Sequence, residues 1–357
     1  MVRPLRVALV GCGKMAVTHA ASCLAMPEVH LVALADIRPE ALEGLGTQFD
    51  IPAESRFTDY VVMYEKIQPD IVVVSTRTLQ HHAPTVAALE RGIHVLCEKP
   101  MAASLAEADE MIAASERTGA KLGINTQRHT DPYYRHAVQM VRDGLVGDLR
   151  AVRCESKHGP SGFSMMDRGS HFFDAMRMFA GDGEWVFAHV TNEDGTEITE
   201  RDVKEGWLDL GPVAGESCIT LVGFRNGVNG VYEFWRGVGE YGFEVLGTKG
   251  ILRVAQEETV VLFSPGGRWG VASVAWEPIE VPLTDEEKAA FAVRRWSTIG
   301  IMRGLIKGIQ EDTVPACSGY DGRAALEMIM ASYLSQKTGA RVGLPLTERR
   351  HPLSPWS

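Results

Sequence analysis

Hydrophobic positions follow two rhythms along the chain. In the first third, short unbroken apolar runs alternate with helical stripes. Leu5 to Val10, His30 to Ala35, Ile71 to Ser75 and His94 to Cys97 read as strands, and Lys121 to Ile124 closes the unit as its last strand. Helices are expected at Met15 to Ala25, from Pro39 onward and at Ala83 to Arg91, with another opened by a capping box at Ser104-Leu105-Ala106-Glu107. Strands that are apolar throughout suit a parallel sheet covered on both faces. Right-handed crossovers then lead to a doubly wound sheet.

After about Asn125 the rhythm changes. A helix at Pro132 to Arg142 leads to a strand at Leu149 to Glu155, and a second helix runs from Asp167 to Phe179. Ser217 to Arg225 and Val228 to Arg236 flank Asn226-Gly227, which reads as a type I′ hairpin. Phe243 to Leu246 and Ile251 to Val254 flank a turn at Gly247-Thr248-Lys249-Gly250. Strands so close in sequence pair antiparallel. Thr284-Asp285-Glu286-Glu287 caps a long helix toward Ile309, and a last helix runs from Tyr320 to Lys337. The expected division is a doubly wound domain over 1–125 and a second domain over 126–357, an antiparallel sheet with helices on one face.

Charge narrows the partners. The 357 residues carry a formal net charge of -10, so neither nucleic acid nor an anionic membrane is attracted in general. Met1 to Arg6 runs into a strand with no apolar leader, and no run approaches the ~20 apolar residues of a membrane span. Six scattered cysteines without a C-x-x-C pattern suit free thiols in the cytoplasm.

Candidate chemistry gathers at the strand ends. Gly11-Cys12-Gly13-Lys14-Met15-Ala16 follows a strand and opens a helix. Gly11 permits a tight turn, Gly13 lets backbone approach a pyrophosphate, and Ala16 allows close helix packing. Asp36 ends the second strand, where a carboxylate accepts ribose hydroxyls and repels a 2′-phosphate, favouring NAD. Arg38 keeps NADP as the alternative, since an arginine there can pair with a 2′-phosphate or stack on adenine. Thr76 and Glu98-Lys99-Pro100 also fall just past strands, so four features share the edge where open α/β sheets bind ligands. Lys99 is either a residue reaching into that crevice or a surface lysine paired with Glu98.

Asp167-Arg168-Gly169-Ser170-His171 opens a helix, and Asp167 and His171, four apart, share a face with Asp174 nearby. A carboxylate that orients an imidazole suits proton transfer; a capping aspartate with a half-buried histidine is the plainer alternative. No metal site is assigned: the His81-His82 pair and His94 lack a metal-ligand spacing. His158, before the Gly159-Pro160-Ser161-Gly162 loop, is a substrate candidate or a surface histidine. Trp235, Arg236 and Tyr241 are candidates for a sugar-pocket floor or for core and interface positions.

Together these pieces resemble the Gfo/Idh/MocA oxidoreductases (glucose–fructose oxidoreductase, inositol dehydrogenase, rhizopine catabolism). The matching segments are Gly11 to Ala16, Ser75-Thr76 with His81, Gly92 to Pro100, Gly123-Ile124-Asn125, Asp167 to His171 with Asp174, Gly247 to Gly250, and Gly339 to Leu346. The chain departs from the family's pattern at Arg77-Thr78, where Pro-Asn is usual, and at Arg128-His129-Thr130-Asp131-Pro132, which is one residue longer.

The resemblance implies an N-terminal Rossmann doubly wound parallel sheet and a C-terminal α/β domain with a mostly antiparallel open sheet that often forms an oligomer interface, hence a homo-oligomer, dimer or tetramer. It implies a last helix, carrying Tyr320, that packs back toward the first domain, and a cis Lys99-Pro100 bond that sets Lys99 beside the nicotinamide. The implied catalytic set is Lys99, Asp167 and His171. The cofactor set is Gly11, Gly13, Lys14, Met15, Asp36, Ile37, Arg38, Ser75, Thr76, His81, Glu98, Lys99 and Asn125; the substrate set is Lys99, Arg128, His158, Arg168 and His171.

The expected activity is reversible hydride transfer between NAD(P) and a secondary alcohol or ketone of a sugar, glycoside or cyclitol. A glycoside hydrolase working by transient oxidation, and a dinucleotide-binding sensor, are the alternatives.

Overall fold

The computed structural model describes residues 3–158, 165–207, 209–236, 242–255, 261–265, 276–292 and 296–354. The chain begins β1 (Leu5–Val10), α1 (Lys14–Leu24), β2 (Val29–Ala35), α2 (Pro39–Gln48), β3 (Arg56–Phe57), α3 (Tyr60–Ile67), β4 (Ile71–Val74), α4 (His82–Leu89), β5 (His94–Cys97), α5 (Leu105–Thr118) and β6 (Leu122–Ile124). The six strands pair in parallel in the order β3-β2-β1-β4-β5-β6. The order reverses between β1 and β4, and a doubly wound sheet binds ligands outside the strand ends at such a point. Val7 to Leu9, Ile71 to Val74 and Val95 to Cys97 are fully buried, which is why these strands read as unbroken apolar runs. In this six-stranded sheet the strand that the pattern does not locate is β3, only two residues long.

The expected capping box at α5 is half made. Ser104 Oγ accepts the Glu107 amide at 3.3 Å, but Glu107 Oε2 accepts from Ala103 rather than from the capping residue.

Next come α6 (Pro132–Arg142), β7 (Leu149–His158), α7 (Met165–Ala180), β8 (Gly183–Thr191), β9 (Lys204–Glu205), β10 (Pro212–Val213), β11 (Ser217–Phe224), β12 (Asn229–Arg236), β13 (Gly242–Gly247), β14 (Ile251–Ala255), β15 (Val261–Ser264) and β16 (Glu277–Ile279). The chain ends with α8 (Asp285–Ala292), α9 (Trp296–Gln310), α10 (Gly319–Thr338) and β17 (Val342–Gly343). The long helix expected from Asp285 is thus assigned as two, on either side of 293–295, which lie outside the described residues.

The large sheet runs β16-β15-β14-β13-β7-β12-β11-β8-β17, with β12 and β7 its one parallel pair among the described strands. One face packs on helices through Phe172, Phe173, Tyr232 and Phe243, whose rings lie 5.0–5.6 Å apart. On α10, Ser335 Oγ and Gln336 Oε1 accept the Ala188 and Val190 amides at 3.0 and 2.6 Å. Those bonds cap donors that the short β17 leaves open on β8.

The Asn226-Gly227 turn differs from the type I′ expectation. Gly227 has φ +83°, but Asn226 is not in the left-handed region, and the Gly227 amide donates to the Phe224 carbonyl at 2.9 Å. That is a wider turn with a glycine bulge, which the same dipeptide also suits.

Two compact units result: Met1–Thr130 with Asp285–Arg323, and Asp131–Thr284 with Ala324–Ser357. The first unit therefore differs from a single cut after residue 125, because it takes in a later segment. Within it α9 packs on α1, with Thr298 Oγ1 2.5 Å from Ser22 Oγ and Arg303 Nε bonded to Glu28 at 2.9 Å. The start of α10 lies so close to β6 that a Cβ on Gly322 would sit 2.7 Å from Ile124, and Tyr320 there bonds Glu116 on α5.

Candidate active site

The glycine turn is built for close approach. Gly11 has φ +92°, and a Cβ there would stand 2.7 Å from the main chain of Ser75 and Thr76. Its amide donates to Ala35 at 2.8 Å, and Ser75 Oγ donates to the Gly11 carbonyl at 2.9 Å, so the turn is pinned to β2 and β4. Gly13 caps α1 without a side-chain bond, and a Cβ on it would meet nothing within 4 Å. The first amides of α1 therefore have no capping side chain, which suits an anion. Lys14 is exposed beside them and Met15 half-buried.

Asp36 is tied to the same turn. Its Oδ2 accepts the Cys12 amide at 2.7 Å, and its Oδ1 accepts the Arg38 amide at 2.8 Å and Nε at 3.3 Å. Partial burial works against its charge, but the two amides and the guanidinium hold the carboxyl below its usual range. An ionised carboxylate thus stands beside the phosphate seat. Ile37 is 77 % exposed next to it, and Arg38 is bonded back to Asp36.

The ends of β4, β5 and β6 form a second cluster. Lys99 is half-buried, with its bond to Pro100 cis. Glu98 is buried; its Oε1 accepts from His19 Nε2 and Asn125 Nδ2, each at 2.7 Å. Burial opposes its charge, yet the His19 bond and charge, followed by Lys99 and Asn125, hold it below the ordinary carboxylate range. His81 is buried with Nδ1 2.9 Å from the Pro100 carbonyl and Nε2 3.2 Å from that of Thr76. Ser75, His81, Glu98 and Asn125, expected at the cofactor, engage the protein with their side chains. Thr76 is half-buried, and its hydroxyl donates to the Gln80 carbonyl at 3.1 Å. Arg128 is buried on the turn at Gln127–His129.

Sequence reasoning did not find His19. Its signal is a histidine on the buried stripe of α1, among Ala16, Ala20 and Cys23.

In the second unit, α7 carries the expected pair. Asp167 is half-buried, His171 is 8 % exposed and Asp174 is fully buried. The four-residue spacing puts Asp167 and His171 on one face. Arg168 is half-buried, its Nε 3.9 Å from Asp167 Oδ2. Gly169 lies close to α10: a Cβ there would stand 3.1 Å from the Ile329 side chain, which would have to give by a few tenths of an ångström. Trp235 is half-buried on β12. The side chains of His158 and Arg236, and all of Tyr241, lie outside the described residues.

The first unit fits a dinucleotide on its own evidence of shape: a glycine cradle that a Cβ would fill, uncapped helix amides, and a charged carboxylate one strand over. With a lysine at the next strand end, these features define the class, an oxidoreductase working with a nicotinamide dinucleotide. Comparison with known proteins agrees. Residues 5–126 match the model of an oxidoreductase family with an NAD-binding Rossmann fold, and residues 134–253 match the GFO/IDH/MocA C-terminal domain. The chain belongs to the Gfo/Idh/MocA oxidoreductases.

Among its relatives is myo-inositol 2-dehydrogenase of Thermotoga maritima, 25% identical over 94% of this chain and 96% of that protein. D-apiose dehydrogenase of Paraburkholderia graminis is 25% identical over 98% of this chain and 92% of that one. Levoglucosan dehydrogenase, solved in complex with NADH, shares the fold with a TM-score of 0.79 at 19% identity, over 96% of this chain and all of the other.

Proposed function

We propose that the protein reversibly oxidises a secondary alcohol of a sugar, glycoside or cyclitol, with NAD as hydride acceptor. The observation that carries this reading is the shared strand edge: the Gly11 turn, ionised Asp36 and half-buried Lys99 all follow parallel strands of one sheet. The names of the relatives, inositol and apiose dehydrogenases, support the substrate class.

Gly11, Gly13, Lys14 and Met15 would hold the pyrophosphate, and Asp36 the adenosine ribose, with Ile37 and Arg38 at the adenine end. Bound there, the nicotinamide supplies the hydride acceptor. Lys99 donates a hydrogen bond to the reacting oxygen and stabilises the developing alkoxide. His171 removes the hydroxyl proton, and Asp167, one turn earlier, orients it. Arg128 and Arg168 would contact substrate hydroxyls.

Lys99→Met and His171→Ala should each lower turnover by ~10²–10⁴. Near-parental turnover in both variants on an identified substrate would remove the mechanism.

The protein would act as a homo-oligomer in the cytoplasm. Six buried cysteine thiols suit a reducing compartment. The large sheet's outer face exposes Phe187, Ile219 and Leu221, with Phe187 and Leu221 paired across β8 and β11, and a second copy would cover them.

A further inference from the structure

Two of the side chains that support Lys99 are histidines, one on α1 and one at the start of α4. The Lys99 amide donates to Glu98 Oε2 at 3.2 Å, and His19 and Asn125 hold the other oxygen of that carboxylate. One residue on, the Pro100 carbonyl faces His81 Nδ1 at 2.9 Å. His19, His81, Glu98 and Asn125 are 2, 1, 6 and 0% exposed. The turn is therefore gripped at both main-chain ends by buried groups.

A neutral imidazole has a single N–H, and the Pro100 and Thr76 groups that face His81 are both carbonyls, so only one of these two contacts can donate at a time. Burial pushes the His81 pKa down, which keeps the ring neutral near pH 7. The Nδ1–H tautomer would donate to the Pro100 carbonyl, the shorter of the two contacts. Glu98 keeps its charge in a buried place because His19, Asn125 and the Lys99 amide all donate to it. A lysine ammonium sits on a flexible stem of four carbons, so the placement of its main chain decides how often it reaches a reacting oxygen.

We propose that His81 and His19 are positioning residues for Lys99: His81 holds the Pro100 carbonyl, and His19, through Glu98, holds the Lys99 amide. This rests on the role given to Lys99 above. A misplacement of ~1 Å at a reacting group can cost about 10²-fold in rate.

The test compares conservative variants. His81→Asn keeps a donor near Nδ1, and His81→Gln moves it toward Nε2. His81→Gln should lower kcat about 10–100-fold with KM for NAD held within about threefold, while His81→Asn recovers most of the loss. His19→Gln, which still donates to Glu98, should likewise exceed His19→Leu. The two pairs are independent, so a variant that fails to fold, judged by its melting temperature, leaves the other pair to decide.

Equal kcat for Asn and Gln at position 81 and for Gln and Leu at position 19 would overturn the proposal, as would a loss confined to KM. Lys99→Met, assayed alongside, separates the two readings. If it turns over normally, the role of Lys99 falls. If it is inactive while His81→Gln and His19→Leu stay within twofold of the parent, only the brace falls.

Discussion

Asp36 shows how a single carboxylate can set cofactor choice. Its charge is kept by the Cys12 amide on the glycine turn and by Arg38, so it is ionised well below neutral pH. A hydrogen bond to a charged group contributes about 1.5–3 kcal/mol. Asp36→Ala should therefore reduce kcat/KM with NAD by at least about tenfold while improving the use of NADP, as Arg38 is freed from its partner. Steady-state assays with both dinucleotides decide it; an unchanged preference would show that Asp36 does not read the ribose. Gly11→Ala tests the cradle itself. Positive φ costs a non-glycine residue about 1–2 kcal/mol, and the added Cβ would meet backbone at 2.7 Å. NAD titration should show affinity lost by more than tenfold, with a lower melting temperature.

These residues were legible because their signals are local. A glycine turn between strand and helix, an acid at the next strand end and Glu98-Lys99-Pro100 are each read within a few positions. His19 was not, because its partner Glu98 lies 79 residues away and only the folded sheet joins them. For Ser75, His81, Glu98 and Asn125, position near the edge was readable, but the direction of the side chain was not.

At the scale of elements, most helices and parallel strands appear within a residue or two of the expected bounds, and α6 lies at Pro132–Arg142 as read. The strand β8 was missed for a physical reason. Its inner face buries Val186, Ala188 and Val190, but its outer face carries Trp185 and Phe187, so polar and apolar positions do not alternate cleanly.

The C-terminal tail after α10 should respond to pH through His351. Glu327 accepts the Leu346 amide at 2.9 Å and Arg349 at 3.3 Å, and His351 is buried near Tyr333. Burial lowers the His351 pKa from 6.5 to about 4. The unfolded chain then binds the proton more readily than the folded one, so this contribution is complete above pH 6.5 and is lost as pH falls toward 4. His351→Phe should shrink the drop in melting temperature between pH 7 and pH 5; an equal drop in both proteins would contradict the assignment.

For the whole molecule, the outer face of the large sheet divides into an apolar side and a charged centre. Phe187, Ile219 and Leu221 lie toward β8, and Arg153 is bonded to Glu233 and paired with Glu155, with Arg253 bonded to Glu244 beside them. Leu221→Glu should shift the particle toward monomer in light scattering after size exclusion, because a charge opposite Phe187 would be desolvated on association. A parent protein that is monomeric at micromolar concentration would contradict an interface there.

The central claim is net oxidation of a sugar or cyclitol by NAD. Its most direct measurement is the absorbance of reduced nicotinamide when the protein meets a panel of inositols, aldoses and glycosides with NAD in excess. The account predicts reduced dinucleotide in equal amount to the alcohol oxidised, with the signal lost in Lys99→Met. Tight NAD binding with no net reduction across the panel, or glycoside cleavage that consumes no NAD, would contradict it.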